Sequence, residues 1–378
     1  MIRAGRLNAP AAPADVRTVL DLHDLLQFTV EHRGSDLHVK VGSPPHVRVD
    51  GHLMVTSFDR VTPADSERMA VAILPPGRAE EFAATNDSDF ALSVSGLGRF
   101  RVNVFRQRGS VGLVFRRVLP GMASFESLGL PGVVPRLADE TKGLVLVTGP
   151  AGSGRTTTLA SMIDHINETR SVNIVTVEDP IEVLHPDKMA IVNQRELGTD
   201  TRDYASALRR VLRQDPDVVA IGEIADGETM WAALSAASTG HLVLATMQTT
   251  RVAETLGRVI DLFSPFQHRQ VRHLLAANLR GVVSQRLLER ADGRGRVPAV
   301  EVLVATSRIF DHIVDEDAPA ERLEDYLADG EYHGMQTFDQ SLFGLYKNGL
   351  VSLRDVLAAA TQPHDFRIAL QSAGLIAA

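Results

Sequence analysis

The chain predicts an α/β protein of two domains, an N-terminal α+β unit followed by a parallel sheet covered by helices on both faces. Three observations carry this expectation. Alternating apolar residues between Gly/Pro turns dominate the first third. Beyond residue 140, short continuous apolar runs alternate with helical patterns. One of those runs opens into a glycine loop, GPAGSGRTTT, from Gly149 to Thr158. Continuous apolar strands interleaved with helices are the mark of a buried parallel sheet, and alternation marks a half-buried antiparallel one.

Residues 1–14 are rich in Ala and Pro and are expected to form a flexible leader. They contain no apolar run of signal-peptide length, and no later segment approaches a membrane span, so a cytoplasmic protein without membrane insertion is expected. Helix is expected from near Asp15, with Val19, Leu22, Leu25, Leu26 and Val30 largely on one face. Leu37, Val39 and Val41, then Val47 and Val49, alternate between turns at GSPP and DG and predict strands. A helical stretch, ADSERMAVAIL, and the alternating GRFRVNVFRQRGSVGLVFRRV complete a domain over 15–119. The Gly- and Pro-rich segment that follows predicts a linker over 120–133 and a second domain over 134–378.

The run GLVLVT (143–148) leads into the glycine loop. Thr156–Ile166 then places Leu159, Met162, Ile163 and Ile166 at helical spacing. Strand, loop and helix in this order form the context a phosphate cradle requires. Backbone N–H groups freed by Gly152 and Gly154, with the positive end of the helix, face phosphate oxygens, and Thr156 offers a hydroxyl to Mg²⁺. The runs NIVTVEDP (173–180), DVVAIGE (217–223) and HLVLATM (241–247) predict further strands, interleaved with helices over DYASALRRVLRQDPD and GETMWAALSAAS. Tyr204, Leu208, Val211 and Leu212 stripe the first of these helices, and Pro216 ends it. Ligands of such sheets bind at the carboxyl ends of the strands. There stand Glu178 and Asp179, then Glu223, then Gln248, Thr249 and Thr250. Two acid-terminated strands beside a phosphate loop suit nucleotide hydrolysis: one carboxylate holds hydrated Mg²⁺ and the other activates water.

The balance of 39 basic and 47 acidic side chains gives a net charge of −8, which disfavours nucleic acid as a partner. No cysteine is present, which excludes disulfides and thiolate-bound zinc.

The segments VTGPAGSGRTTTLASMID, TVEDPIE, VNQRE, RQDPDVVAIGEIAD, STGHLVLATMQTT and GMQTFDQSL resemble, in order, the type IV pilus retraction ATPases (the PilT family) of the type II/IV secretion ATPase superfamily. The resemblance covers most of the chain. It implies a PAS-like N-terminal domain joined flexibly to a RecA-like P-loop ATPase domain with a helical C-terminal part. It further implies a homo-hexameric ring at the inner face of the cytoplasmic membrane that uses ATP and Mg²⁺ to disassemble a pilus. Its partners would be an inner-membrane pilus platform protein and other pilus ATPases.

Carried onto this chain, the resemblance assigns Gly149, Pro150, Ala151, Gly152, Ser153, Gly154, Arg155, Thr156 and Thr157 to the phosphates. Glu178 becomes the general base, Glu223 the Walker B carboxylate acting on Mg²⁺, and His241 the histidine-box sensor of the γ-phosphate. Arg101 and Arg116 match the segment that supplies arginines to a neighbouring subunit's ATP, and no obvious local acid awaits them in the sequence. The plainer alternative for both is a solvated basic strand face. His38, Gln336 and Asp339 match motifs with structural or regulatory roles.

The departures bear on turnover. Arg155 replaces the P-loop lysine, Ala225 stands where GE-x-RD has arginine, Gln248 replaces the histidine of LHTT, and TSRIFDHI stands in place of AIRNLI. Arginine keeps the charge but not the compact shape of an ammonium. An active retraction ATPase is therefore expected, the alternative being a weakly active accessory ring subunit. An assembly or secretion ATPase is less favoured, because those usually carry a tetracysteine zinc element.

Overall fold

The computed structural model of the chain describes residues 6–7, 20–49, 51–118 and 123–377. It divides into two compact units, Met1–Pro120 with Glu182–Leu184, and Gly121–Ile181 with His185–Ala378. The expected leader lies outside the described residues except for Arg6–Leu7, which form a short strand. Residues 15–19 of the expected first helix lie outside them too.

In the first unit the elements run β1 (Arg6–Leu7), α1 (Leu22–Glu31), β2 (Asp36–Val39), β3 (His46–Val49), β4 (His52–Thr56), α2 (Pro63–Ile73), α3 (Pro76–Thr85), β5 (Asp87–Val94), β6 (Gly98–Gln107) and β7 (Ser110–Val118). Asp21 caps α1 by accepting from His23 N at 2.7 Å, so the helix starts later than the apolar stripe suggested. Thr62 and Asp65 form a reciprocal capping box on α2. The strands make one sheet in the order β1-β4-β3-β2-β7-β6-β5. Its core face carries Leu37, Val39, Val47, Phe100, Val102, Leu113 and Phe115, packed with Leu25, Leu26 and Phe28 of α1 and Met69 of α2. The alternation read from the sequence is thus the alternation of faces. Val41 is an exception, since it lies in the turn after β2. Helix α3 and strand β5 carry weaker patterns and were not anticipated.

The second unit opens with α4 (Phe125–Leu128) and α5 (Val133–Ala138). The expected linker over 120–133 is corrected here. Phe125, Leu130 and Val133 are buried against Leu159 and Met162, because a few large apolar side chains anchor a segment that has no periodicity to advertise them. Residues 119–122 lie outside the described residues.

There follow β8 (Gly143–Thr148), α6 (Arg155–Thr169), β9 (Asn173–Glu178), β10 (Ile191–Glu196), α7 (Tyr204–Val211), β11 (Val218–Ile221), α8 (Gly227–Ser238), β12 (Leu242–Met247), α9 (Val252–Asp261), α10 (His268–Asn278), β13 (Leu279–Glu289) and β14 (Arg296–Val304). Helices α11 (Ser307–Val314), α12 (Ala320–Ala328), α13 (Phe338–Lys347), α14 (Leu353–Ala359) and α15 (Pro363–Ser372) complete the chain. The sheet order is β10-β9-β11-β12-β8-β13-β14, parallel throughout except for the antiparallel β14.

Every residue of β8, β11 and β12 is buried, as the unbroken apolar runs required. Alternate side chains feed two cores. One packs α7, α8, α9 and α10, and the other packs α5 and α6. Helix α7 ends at Val211, one residue before the expected end of its stripe, and Leu212 is exposed. Among the described residues no helix is long and apolar enough to cross a membrane.

Candidate nucleotide site

The loop after β8 is shaped by its glycines. Gly149, Gly152 and Gly154 have φ of 151°, 76° and 91°, and Gly154 is the left-handed N-cap of α6. A Cβ on Gly149 would strike the Gln285 carbonyl and the Ser153 side chain, and one on Gly154 would lie 2.9 Å from Gln285 Nε2. Gln285, buried in β13, is the brace. Its Nε2 donates to Ser153 O (2.7 Å) and its Oε1 accepts from Thr158 Oγ1 (2.8 Å), tying the loop to the first turn of α6. Beside it the Thr148 and Ser284 hydroxyls meet at 2.6 Å. Sequence reading missed Gln285, which lies 132 residues from Ser153 in a stretch without a glycine or charge motif.

Arg155 is the first residue of α6. Its Nη1 donates to Gly149 O and, at 3.4 Å, to Met247 O. The guanidinium therefore folds back across the ends of β8 and β12, holding its positive charge within the cradle. Thr156 and Thr157 follow in the first turn, both half-buried.

Strand register puts the acids on the same edge. Thr148 is level with Met247, and Ile221 is level with both Val177 and Ala245. Glu178, Glu223 and Gln248 consequently emerge at the carboxyl edge that carries the loop, Gln248 from the strand next to β8 and Glu178 from β9, two strands further on. Glu178 Oε1 accepts from Thr176 Oγ1 (2.6 Å) and Gln194 Nε2 (3.0 Å). Glu196, buried and in register with Glu178, accepts the Ile181 N–H at 3.0 Å and holds the turn that follows.

Tyr204, read from the sequence only as an apolar stripe residue, gathers the acids. Its hydroxyl is pushed to a raised pKa first by burial and then by the charges of Asp179, Glu223 and Glu178, while the backbone of Glu223 hydrogen-bonds to it. A Cβ on Gly222 would come within 2.9 Å of the Tyr204 Oη, so glycine there lets the phenol in. Ala225, the departure from the family pattern, is exposed, and the adjoining Asp226 caps α8 by accepting from Thr229 N at 2.8 Å.

Within its own subunit, His241 does not join the glycine loop. His241 precedes β12, where Leu242 is level with Gly143 at the start of β8, and its carbonyl accepts the Gly143 N–H at 2.9 Å. It lies at the opposite edge from the loop, across the six residues of the strand, roughly 20 Å at the usual rise. Its Nδ1 is 3.0 Å from Ala236 O and 3.1 Å from Thr239 Oγ1, contacts that close the end of α8. The signal was available: the histidine comes before its apolar run and the phosphate loop after its own, so in a parallel sheet they cannot share an edge. Gln248 takes the position at the loop. Gln336 and Asp339 serve structure, donating to Val300 O (2.7 Å) and accepting from Thr361 N (2.9 Å).

In the first unit, Arg101 and Arg116 face each other across β6 and β7 and project from the face opposite the core. The expectation that they have no local acid is corrected. Asp36, in register with Arg116, accepts from its Nε at 2.8 Å and lies 3.8 Å from Arg48 Nε. The Arg116 side chain remains 69% exposed, so its terminal nitrogens face solvent while its root is held.

Burial alone would raise the Asp36 carboxyl, but hydrogen bonds from Arg116 and Ser35 and the Arg116 charge outweigh it and hold the group below the ordinary range. A depressed folded value gives stability that is present at neutral pH and lost as pH falls through that value. Asp36→Asn is therefore expected to lose ~1–3 kcal/mol at neutral pH, by urea unfolding, and progressively less in acid. A deficit of equal size at both pH values would show that the charge is not what stabilises.

Comparison with known proteins agrees with this geometry. The family described as Type II/IV secretion system protein matches residues 112–331. The type IV pilus retractation ATPase PilT of Pseudomonas aeruginosa is 40% identical over 92% of this chain and 100% of its own length. The type IV pilus ATPase PilU of the same organism is 37% identical over 93% of this chain and 92% of its own length. The crystal structure of the pilus retraction motor PilT with bound ADP superposes with a TM-score of 0.82 at 42% identity, covering 92% of this chain and 98% of that one. On the glycine loop, the acids of the facing strand ends and these likenesses together, the chain belongs to the PilT family of type II/IV secretion ATPases.

Proposed function

We propose that this chain is a P-loop ATPase that assembles as a homo-hexamer at the inner face of the cytoplasmic membrane and drives type IV pilus retraction. The observation that carries the proposal is the convergence of the Gly149–Thr157 loop with Glu178 and Glu223 on one sheet edge, in a chain aligned along nearly its whole length with a retraction ATPase. The strand order β13-β8-β12-β11-β9, with the loop on β8, supports a RecA-like reading of the domain over 134–378. The sheet packed with α1 and α2 supports a PAS-like reading of 15–119.

The chemistry follows from the side chains. Loop N–H groups, the α6 N-terminus and Arg155 hold the β- and γ-phosphates of ATP. The Thr156 hydroxyl and the Glu223 carboxylate are hard oxygen donors of the kind Mg²⁺ takes. Among the described residues no cluster of three acidic or histidine side chains could hold a metal alone, which suits an ion shared with substrate phosphates and water. Bound there, Mg²⁺ would offset phosphate charge. Glu178 takes a proton from water as its oxygen attacks the γ-phosphorus; the bond to the β-phosphate oxygen breaks, and ADP and phosphate leave. Arg101 and Arg116 of a neighbouring subunit supply positive charge to that transition state. The pilus platform protein is the partner to which the ring passes its work.

A second reading, an accessory ring subunit with weak turnover, is favoured by the Arg155 guanidinium resting on Gly149 O and Met247 O and by Gln248 beside it.

Mixing subunits tests the shared site. Arg101→Ala and Arg116→Ala are each expected to lower ATP hydrolysis, by as much as ~10³-fold where an arginine acts in trans. A mixture of Glu178→Gln and Arg116→Ala subunits should regain activity, because some interfaces then carry both wild-type residues. No regain at any ratio would remove Arg116 from the shared site, and light scattering from a monomer at every concentration with ATP would overturn the ring proposal.

A further inference from the structure

We propose that Gln194 is a positioning residue for hydrolysis: together with Thr176 it fixes the carboxylate of Glu178 in one position at the end of its strand. The proposal rests on the reading of Glu178 as the general base. Thr176 and Gln194 stand side by side in register on β9 and β10. Both donate to the same oxygen, Glu178 Oε1, at 2.6 and 3.0 Å. The direction of the Gln194 amide is decided by its other end, since Oε1 accepts the His185 N–H at 2.9 Å and only the NH₂ can then face Glu178.

Glu178 is the last residue of its strand, and a glutamate there has three free torsions to lose before it can orient a water. Two donors on one carboxylate oxygen restrict those torsions before substrate arrives, which is the preorganisation a general base needs. Thr176 is wholly buried, so its hydroxyl has no solvent to turn to, and the clamp is part of the sheet and not of a loop.

The test separates positioning from structure. Gln194→Glu keeps an acceptor for the His185 N–H but replaces the donor to Glu178 with a repelling carboxylate. Thr176→Val removes the second donor at nearly constant shape, and Thr176→Ser restores it. The expected result is a kcat lowered ~10–100-fold in Gln194→Glu and in Thr176→Val, with KM for ATP unchanged and Thr176→Ser close to wild type. In a Glu178→Gln background, Gln194→Glu should cause no further loss, because the group it acts through is gone.

An unchanged kcat in Gln194→Glu, a KM that rises with the fall in kcat, or an equal further loss in the Glu178→Gln background overturns the proposal. Should Gln194→Glu not fold, the Thr176→Val and Thr176→Ser pair decides alone. Parent-rate hydrolysis by Glu178→Gln instead removes the general-base reading itself, an outcome distinct from any failure at Gln194.

Discussion

Arg155→Lys is expected to raise kcat for ATP hydrolysis by about a hundredfold while leaving nucleotide affinity nearly unchanged, a gain of ~2.7 kcal/mol in transition-state stabilisation. Affinity is spared because the glycine conformations, the Gln285 brace and the α6 N-terminus build the cradle without the side chain. The chemical step is different. The Arg155 Nη1 is engaged with Gly149 O and Met247 O, and a planar group tethered there follows the moving γ-phosphoryl charge less well than a compact ammonium on a flexible stem. Arg155→Ala should weaken both binding and turnover. The measurements are steady-state phosphate release and equilibrium binding of a fluorescent ATP analogue. If the wild type binds no nucleotide and the lysine variant restores none, the loop is a structural relic and the accessory-subunit reading replaces the motor.

Glu178→Gln is expected to reduce turnover by ~10²–10⁴-fold with ATP binding nearly intact. The substitution is unusually clean in this setting. Thr176 Oγ1 and Gln194 Nε2 both donate to one oxygen of Glu178, and the carbonyl of a glutamine can accept both in its place. Those two hydrogen bonds are kept while basicity is lost. Single-turnover hydrolysis of prebound ATP isolates the step. Turnover at the parent rate would transfer the base role elsewhere on the same edge, and Glu223, which shares Tyr204 with Glu178, is the next carboxylate to replace.

The amino-acid sequence by itself determined the α/β class of the fold, the glycine loop between β8 and α6, and the place of Glu178 and Glu223 at the carboxyl ends of their strands. These are local properties: the β8 and β12 runs are apolar at every position because both faces of their sheet are covered, and a glycine loop between such a strand and a helix needs no distant residue to be recognised. The same holds for α8, whose expected span from Gly227 to Ser238 is its observed one.

What only the tertiary structure decided depends on residues far apart in the chain or on the polarity of strands. Gln285 reaches the loop from β13, and Asp36 meets Arg116 across 80 residues. Tyr204 packs with its apolar stripe and yet brings its hydroxyl to the backbone of Glu223, within the influence of three carboxylates. His241, a motif match, stands at the edge of the sheet opposite its own subunit's loop. Phe125 and Leu130 turn an apparent linker into core. Periodicity reports which face of an element is buried; it carries no information about which element lies opposite, and the hydrogen bonds between such partners depend on the register in which their strands pair.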